Sequence, residues 1–196
     1  MSRPPFAPAA DENKQVIYAA LRPYLRGQVL EIGSGTGQHA VHFCEHDPGL
    51  QWQASDLAPN LGGIQAWIDA SGLSNLCAPI ELDVRGEWPD ALYDTVYSAN
   101  CFHIMAADAV SRTIAAAAAH LRPQGCLAVY GPFNYGGRYT SASNERFDAM
   151  LKAADPASGI RDFEWLDRQA LAAGLVLEAD IEMPVNNRCL VWQKRT

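Results

Sequence analysis

The residues best suited to chemistry stand in one short run, V-L-E-I-G-S-G-T-G-Q-H-A, from Val29 to Ala40. Gly33, Gly35 and Gly37 alternate with Ser34 and Thr36, directly after an apolar segment that carries Glu31. A glycine turn between a strand and a helix removes side chains, so backbone N–H groups approach a ligand closely. It also aims the positive end of the helix dipole at that ligand. The expected occupant is a nucleotide-like cofactor at the carboxyl edge of a sheet. Asp56, followed by Leu57, lies roughly twenty residues further on, the spacing at which a carboxylate accepts from ribose hydroxyls. The competing reading of Asp56 is a helix cap, since S-D-L-A-P-N precedes a helical stretch.

The elements that must hold these residues alternate along the chain. D-E-N-K-Q-V-I-Y-A-A-L-R-P-Y-L reads as a helix with Val16, Ile17, Ala20 and Leu21 on one face. Strand candidates Q-V-L-E-I, L-Q-W-Q-A-S, A-P-I-E-L-D-V, Y-D-T-V-Y-S-A-N and C-L-A-V-Y-G follow. Helices G-Q-H-A-V-H-F-C-E-H-D, N-L-G-G-I-Q-A-W-I-D-A-S-G and the alanine-rich A-A-D-A-V-S-R-T-I-A-A-A-A-A-H-L lie between them, the last favoured by intrinsic propensity. Arg122 to Gly125 read as a turn. Such alternation requires right-handed crossovers and a parallel sheet. Near the C-terminus, L-V-L-E-A-D-I-E-M and R-C-L-V-W-Q are separated only by P-V-N-N, so they pair as an antiparallel hairpin. The expected fold is α/β: a Rossmann-like, doubly wound, seven-stranded and mostly parallel sheet with helices on both faces. One domain over 1–196 is expected, with an N-terminal arm at 1–10 and a lid and substrate-side segment at 132–165.

At 196 residues, 48% hydrophobic and 19% charged, the composition is that of an ordinary globular chain. A net charge of −7 disfavours an unaided grip on nucleic acid or anionic lipid, so neither partner is expected. Cys44, Cys77, Cys101, Cys126 and Cys189 are odd in number and form no C-x-x-C pair, which suits reduced thiols in a cytoplasmic protein. The first residues do not resemble a signal peptide, and no apolar run approaches the length of a membrane span. A monomer or homodimer is expected. His39, His42 and His46, with Cys44 nearby, share a helix face. That helix must pack on the sheet and lacks an H-E-x-x-H pattern, so no metal is expected.

Two details select among cofactors. A dinucleotide fingerprint requires a third glycine at position 38, where this chain has Gln38. The pattern E-x-G-x-G-x-G from Glu31 to Gly37 instead resembles the first motif of the class I S-adenosylmethionine-dependent methyltransferases. The resemblance implies that the turn cradles the methionine part of S-adenosylmethionine. It further implies that Asp83, in E-L-D-V with Val84 beside it, faces the adenine amino group. Asn100, ending Y-S-A-N, would then sit beside the sulfonium. Read from the residues alone, Asp83 is also a solvated turn acid, and Glu31 a group that orders the glycine loop. F-A-P-A-A-D-E-N-K, S-D-L-A-P, Y-S-A-N-C-F-H-I, Y-G-P-F, S-N-E-R-F-D, D-P-A-S-G-I-R-D and E-M-P-V-N-N are together similar to a small methyltransferase-like family known as a domain of unknown function. The likeness runs from about Phe6 to Trp192 and brings no substrate with it.

His103, three residues past Asn100, would stand at the mouth of the cleft, where a base can take a proton; its plain alternative is a core histidine. Y-G-P-F-N-Y-G-G-R-Y-T-S-A-S-N, from Tyr130 to Asn144, combines Asn134, Tyr135, Arg138 and Tyr139 around Gly136–Gly137. It reads as a lid or as a surface loop. Tyr130 and Tyr139 are candidate catalytic groups, and Asn134, Arg138, Asn144, Arg161 and Asn187 are candidates for the substrate side. The expected reaction is in-line methyl transfer to a small acceptor. N-C-F-H stands where amino-methylating enzymes carry an N/D-P-P-Y/F signature, which argues against a DNA base or glutamine amide as acceptor. A non-catalytic module that binds S-adenosylmethionine or S-adenosylhomocysteine is the alternative. A nicotinamide oxidoreductase is disfavoured by Gln38.

Overall fold

Short apolar strands that alternate with amphipathic helices leave each helix one face to bury, and the sheet offers it two surfaces. The computed structural model describes residues 4–195. In chain order the elements are α1 (Pro8–Leu21), β1 (Gln28–Ile32), α2 (Gln38–His46), β2 (Gln51–Asp56), α3 (Ala58–Ser71), β3 (Ile80–Glu81) and β4 (Tyr93–Ala99). Then come α4 (Ala107–His120), β5 (Leu121–Gly131), β6 (Phe133–Asn134), α5 (Ala142–Ala154), β7 (Arg161–Asp162) and α6 (Phe163–Ala172). The hairpin of β8 (Leu175–Met183) and β9 (Asn187–Lys194) follows, joined by a 3-10 turn at Pro184–Asn186.

Seven strands form one sheet in the order β3-β2-β1-β4-β5-β9-β8. The first five are parallel, and β9 and β8 join antiparallel. The winding direction reverses between β1 and β4, so their outgoing loops part and leave a crevice at the carboxyl edge. The glycine turn after β1 and Asn100 after β4 stand on its two sides.

Strand side chains alternate between faces. Val29 and Tyr97 pack with Ile17 and Leu21 of α1, Phe43 of α2 and Ile64 of α3. Leu30 and Val96 face the other way, towards Ile114 of α4 and Leu166 of α6. Ala117 and Ala118 are both buried, the small side chains that let α4 approach α6 closely. Among the described residues, no helix is long and apolar enough to cross a membrane.

Several expectations need adjustment. Ile17, Tyr18 and Leu21 form the buried stripe of α1, whereas Val16 is 37% exposed and looks onto a cavity. The third strand is only two residues long, which places Asp83 beyond it. Arg122–Gly125 is absorbed into β5, where Gln124 has φ 66 and the pairing with β4 is irregular. Two-residue β6 and β7 pair in parallel apart from the main sheet, too short to carry a periodic signal. Residues 1–3 of the arm lie outside the described residues. From Pro4 onward it is pinned down: the Trp67 indole donates to the Pro5 carbonyl (2.6 Å), and the Ala7 amide donates to Gln38 Oε1 (2.7 Å).

Trp52 on β2 is fully buried, and its indole N–H requires an acceptor. Glu31 on β1 supplies it at 3.0 Å, itself only 2% exposed. Burial outweighs that bond and one from Ser34, lifting the Glu31 carboxyl from its usual 4.5 to about 7. The folded chain therefore keeps a proton that the unfolded chain releases at lower pH. Stability from this proton is complete below about 4.5 and is lost as pH rises through about 7. The full effect is of order 3 kcal/mol. Urea unfolding midpoints of the natural chain should fall from about pH 5 to pH 8, and Glu31→Gln should flatten that slope; equal slopes would remove Glu31 as the cause.

Candidate functional site

The glycine turn is built by main-chain geometry that only glycine adopts cheaply. Gly33 has φ 70, and a Cβ there would collide with Cys101 Sγ. Gly35 has φ 60, but a Cβ there would meet nothing within 4 Å. The first glycine is thus required by packing, and the second faces open space. The turn is tied to β2 by Ser34, whose amide donates to the Ser55 carbonyl (2.9 Å) and whose hydroxyl accepts from the Ser55 amide (3.1 Å). Thr36 donates to Gln38 Oε1 at 2.8 Å, the atom that also holds the arm. Gln38 therefore fastens turn and arm together where a dinucleotide fingerprint would have its glycine.

Asp56 is the central anion. Its Oδ2 accepts from the Gly35 amide (2.7 Å), and its Oδ1 from the Leu57 amide (2.7 Å) and Asn60 Nδ2 (2.8 Å). It orders the turn and the start of α3 at once, while Oδ2 keeps lone-pair capacity for a further donor. A cavity of about 600 Å³ opens in front of it, lined by Gly33, Gly35, Asp56, Leu57, Val84 and Asn100 among others. Glu31, Ser34, Thr36 and Gly37 do not line it; Glu31 instead joins β1 to β2 through Trp52. Asp83 is also outside the lining. Its Oδ1 accepts from the Arg85 amide (2.9 Å), the bond of a turn acid, while Leu82, Val84 and Arg85 form the wall.

A second cavity, about 670 Å³, lies on the other side of Asn100, which lines both. Asn100 is in a left-handed conformation, φ 58, fixed by its amide donating to the Tyr130 carbonyl (2.8 Å). His103, Tyr130, Asn144 and Asn187 line this second space, with Glu12, Asn13 and Val16 of α1 opposite. His103 sits edge-on to Phe147, and burial, helped by Arg161, lowers its pKa to about 4. It is a neutral imidazole, able to accept a proton. Tyr130 is pushed the other way by burial and stays protonated, its hydroxyl accepting from Asn187 Nδ2 at 2.9 Å. It is a donor to whatever fills the cavity.

A buried chain of polar groups reaches this wall from the sheet. Tyr97 Oη bonds His39 Nδ1 (3.1 Å), His39 Nε2 bonds Asn13 Oδ1 (2.7 Å), and Asn13 lines the second cavity with Tyr130. His39 is therefore committed to positioning α1. Asn13, Val16 and Phe147 are wall residues that sequence reasoning missed. The polar Glu12-Asn13 pair inside an otherwise amphipathic helix was the available signal.

The remaining lid candidates do other work. Tyr139 lines neither cavity; its hydroxyl donates to Asp148 (2.7 Å), which also accepts from the Ile160 amide and Lys152. Arg138 closes a backbone turn with Tyr135 and lines neither cavity. Arg161 donates to the carbonyls of Phe102, Met105 and Ala157, clamping the loop that carries His103. Asn134 is not in either wall, and its buried Oδ1 has no partner among the described residues. Asn144 does reach the second cavity, its Nδ2 donating to Thr140 and to the Asn186 carbonyl.

A family profile described as "Protein of unknown function (DUF938)" matches residues 4–194. Ribosomal RNA small subunit methyltransferase C of Escherichia coli (strain SMS-3-5 / SECEC) is 27% identical over 125 residues, 61% of this chain and 35% of that protein. An O-methyltransferase family protein from Burkholderia thailandensis superposes with a TM-score of 0.85 at 18% identity, over 96% of this chain and 57% of that one. Human N-acetylserotonin methyltransferase, solved in complex with SAM, gives 0.80 at 15% identity, over 96% and 53%. The chain spans about a third of the matched curated relative and somewhat more than half of these structures. The fold is that of the class I methyltransferases, as the glycine motif implied. The ribosomal RNA methyltransferase match removes the basis for excluding nucleic acid on net charge alone.

The two glycines should separate in mutagenesis. Gly33→Ala meets both an unfavourable φ and Cys101 and should cost at least about 1 kcal/mol more than Gly35→Ala, which meets only the former. Urea unfolding of both variants measures this; equal losses would reject the close-packed role of Gly33.

Proposed function

The chain belongs to the DUF938 family, and from that premise we propose that it transfers a methyl group from S-adenosylmethionine to the hydroxyl of a small, largely apolar acceptor. The observation that carries this reading is the meeting of two cavities at Asn100, one walled by the glycine turn and Asp56, the other by a neutral His103. The open space before Gly35 suits an amino-acid tail, and the free capacity of Asp56 Oδ2 suits a ribose hydroxyl. When bound, S-adenosylmethionine supplies an electrophilic methyl on a sulfonium that departs as a thioether, so no covalent enzyme intermediate is required.

The chain's own residues then have separate tasks. Asn100, which lines both cavities, would align an acceptor in the second with a cofactor held in the first. Such alignment contributes about 7–11 kcal/mol in well-oriented systems. His103, neutral at the edge of the second cavity, would take the proton of an acceptor hydroxyl held there. Tyr130, kept protonated and oriented by Asn187, donates to a second polar group of the acceptor. Arg161 and the Tyr97–His39–Asn13 chain act as positioning groups, holding the His103 loop and α1 in place.

A small acceptor is favoured by the second cavity itself. Its volume is within the range of small-molecule sites, and Val16, Pro132, Phe147, Pro184 and Val185 give it apolar walls. The one formally charged side chain in that lining is the carboxylate of Glu12, which repels a phosphate backbone. The ribosomal RNA methyltransferase relative supports a second reading, an RNA acceptor, and the assay below separates the two.

Asp56→Ala should weaken S-adenosylhomocysteine binding by roughly ten- to a hundred-fold in calorimetry; unchanged affinity in a folded variant would reject the ribose role. With isotope-labelled S-adenosylmethionine, a panel of small phenols and alcohols should yield a methylated product, whereas transfer only to RNA would overturn the small-acceptor reading. On that acceptor, His103→Gln should lower kcat by roughly 10²–10⁴. Because His103 loses its proton at about 4, turnover by the natural chain should show no acid limb near its ordinary value of 6.5. Full activity in His103→Gln would end its role as base.

A further inference from the structure

At the opposite end of α2 from the glycine turn, three side chains converge that the methyl-transfer reading does not use. His42, Glu45 and His46 each offer a ligand atom, and these atoms lie within 4.8 Å of one another. The spacing i, i+3, i+4 puts all three on one helix face. His42 is 9% exposed, and its Nε2 is buried without a hydrogen-bond partner among the described residues. A buried ring nitrogen left unpaired is costly unless something else satisfies it.

His46 is set up to help. Its Nδ1 lies 2.7 Å from the His42 carbonyl, which can only accept, so Nδ1 carries the proton and Nε2 keeps its lone pair. Histidine ligands are oriented in this way, the second nitrogen donating to a carbonyl or carboxylate. The two rings are 4.2 Å apart. Glu45 adds a formal negative charge at the helix C-terminus, where the dipole also favours a cation. The nearby Lys14 is paired with Asp11. Neither histidine nor Glu45 lines either of the two cavities.

We propose that His42, Glu45 and His46 form a binding site for a zinc-class divalent cation, separate from the methyl-transfer cleft. Two imidazoles and one carboxylate are the ligand set of a borderline metal, and three protein ligands leave a fourth position to water. Ligand atoms about 2.0–2.2 Å from a tetrahedral zinc are roughly 3.3 Å apart. Movement of the exposed Glu45 side chain and small shifts of the two imidazoles, with His46 Nδ1 still held by the His42 carbonyl, would bring the ligand atoms from within 4.8 Å to that spacing. The absence of H-E-x-x-H is a ground for expecting no metal, but the reversed order His42-x-x-Glu45-His46 keeps two histidines at the same i, i+4 spacing, with Glu45 beside them as a third donor. His39, the other histidine of that face, is excluded by its bonds to Asn13 and Tyr97.

The test uses the full chain, stripped with chelator and titrated with Zn²⁺ in a calorimeter, with Co²⁺ absorption as a second readout. One equivalent should bind, with the intense visible bands of low-coordinate Co²⁺. His46→Ala and Glu45→Gln, both at exposed positions, should each weaken binding by about tenfold or more, and His42→Ala should do the same if it folds. No heat with about 100 µM protein would overturn the proposal. So would Zn²⁺ binding that both exposed variants leave unchanged, since the ion would then sit elsewhere.

Discussion

The carboxylate of Asp56, reaching from the end of β2 to the amide of Gly35, holds the cleft in shape. The turn it grips contains three alternate glycines at positive φ, Gly33, Gly35 and Gly37, which cost backbone entropy and bring no side-chain packing of their own. Hydrogen bonds to a charged acceptor are worth about 1.5–3 kcal/mol each. Asp56 makes one to the turn and two more to the start of α3. The same group therefore fixes a flexible loop, begins a helix and presents a free lone pair to the cavity. Ser34 and Ser55 reinforce it across the strands, and Gln38 fastens the other side of the turn to the arm. The result is main chain with open space before Gly35, held from behind.

From that fixed point the cleft extends to Asn100, whose left-handed backbone sets the boundary between two volumes. One has the Asp56 carboxylate set in a largely apolar wall; the other joins Val16, Phe147 and Val185 to a neutral histidine and a protonated tyrosine. The division follows from topology, since the strand order reverses between β1 and β4 and their loops diverge there. The second volume would be an open groove without α1, which closes it with Glu12, Asn13 and Val16. α1 is in turn registered against the sheet through His39 and Tyr97, so an apparently remote strand residue helps set the shape of the acceptor wall.

Much of this was legible in the chain because it depends on local periodicity and on glycine. The alternation of strands and helices, the terminal hairpin and the glycine turn are each encoded within windows of a few residues. Asp56, Val84 and Asn100 were legible too, because strand ends in such a sheet converge on one edge. What the sequence hid was contact at long range. Nothing near Tyr139 announces Asp148 as its partner, and nothing near Arg161 announces the carbonyls of Phe102 and Met105. Between the two readings of Asp83, an adenine-facing acid implied by the resemblance and a turn acid, the fold shows β3 ending early and Asp83 Oδ1 accepting from the Arg85 amide. Periodicity places Val16 on one helix face with Ile17, Ala20 and Leu21, whereas it looks onto a cavity.

The most direct measurement of this account is a crystal structure with S-adenosylhomocysteine. The adenosyl sugar should lie at Asp56, the amino-acid tail before Gly35 and the sulfur beside Asn100, facing the cavity that holds His103. A ligand bound with its sulfur turned away from that junction, or bound outside the Asp56 cavity altogether, would contradict it.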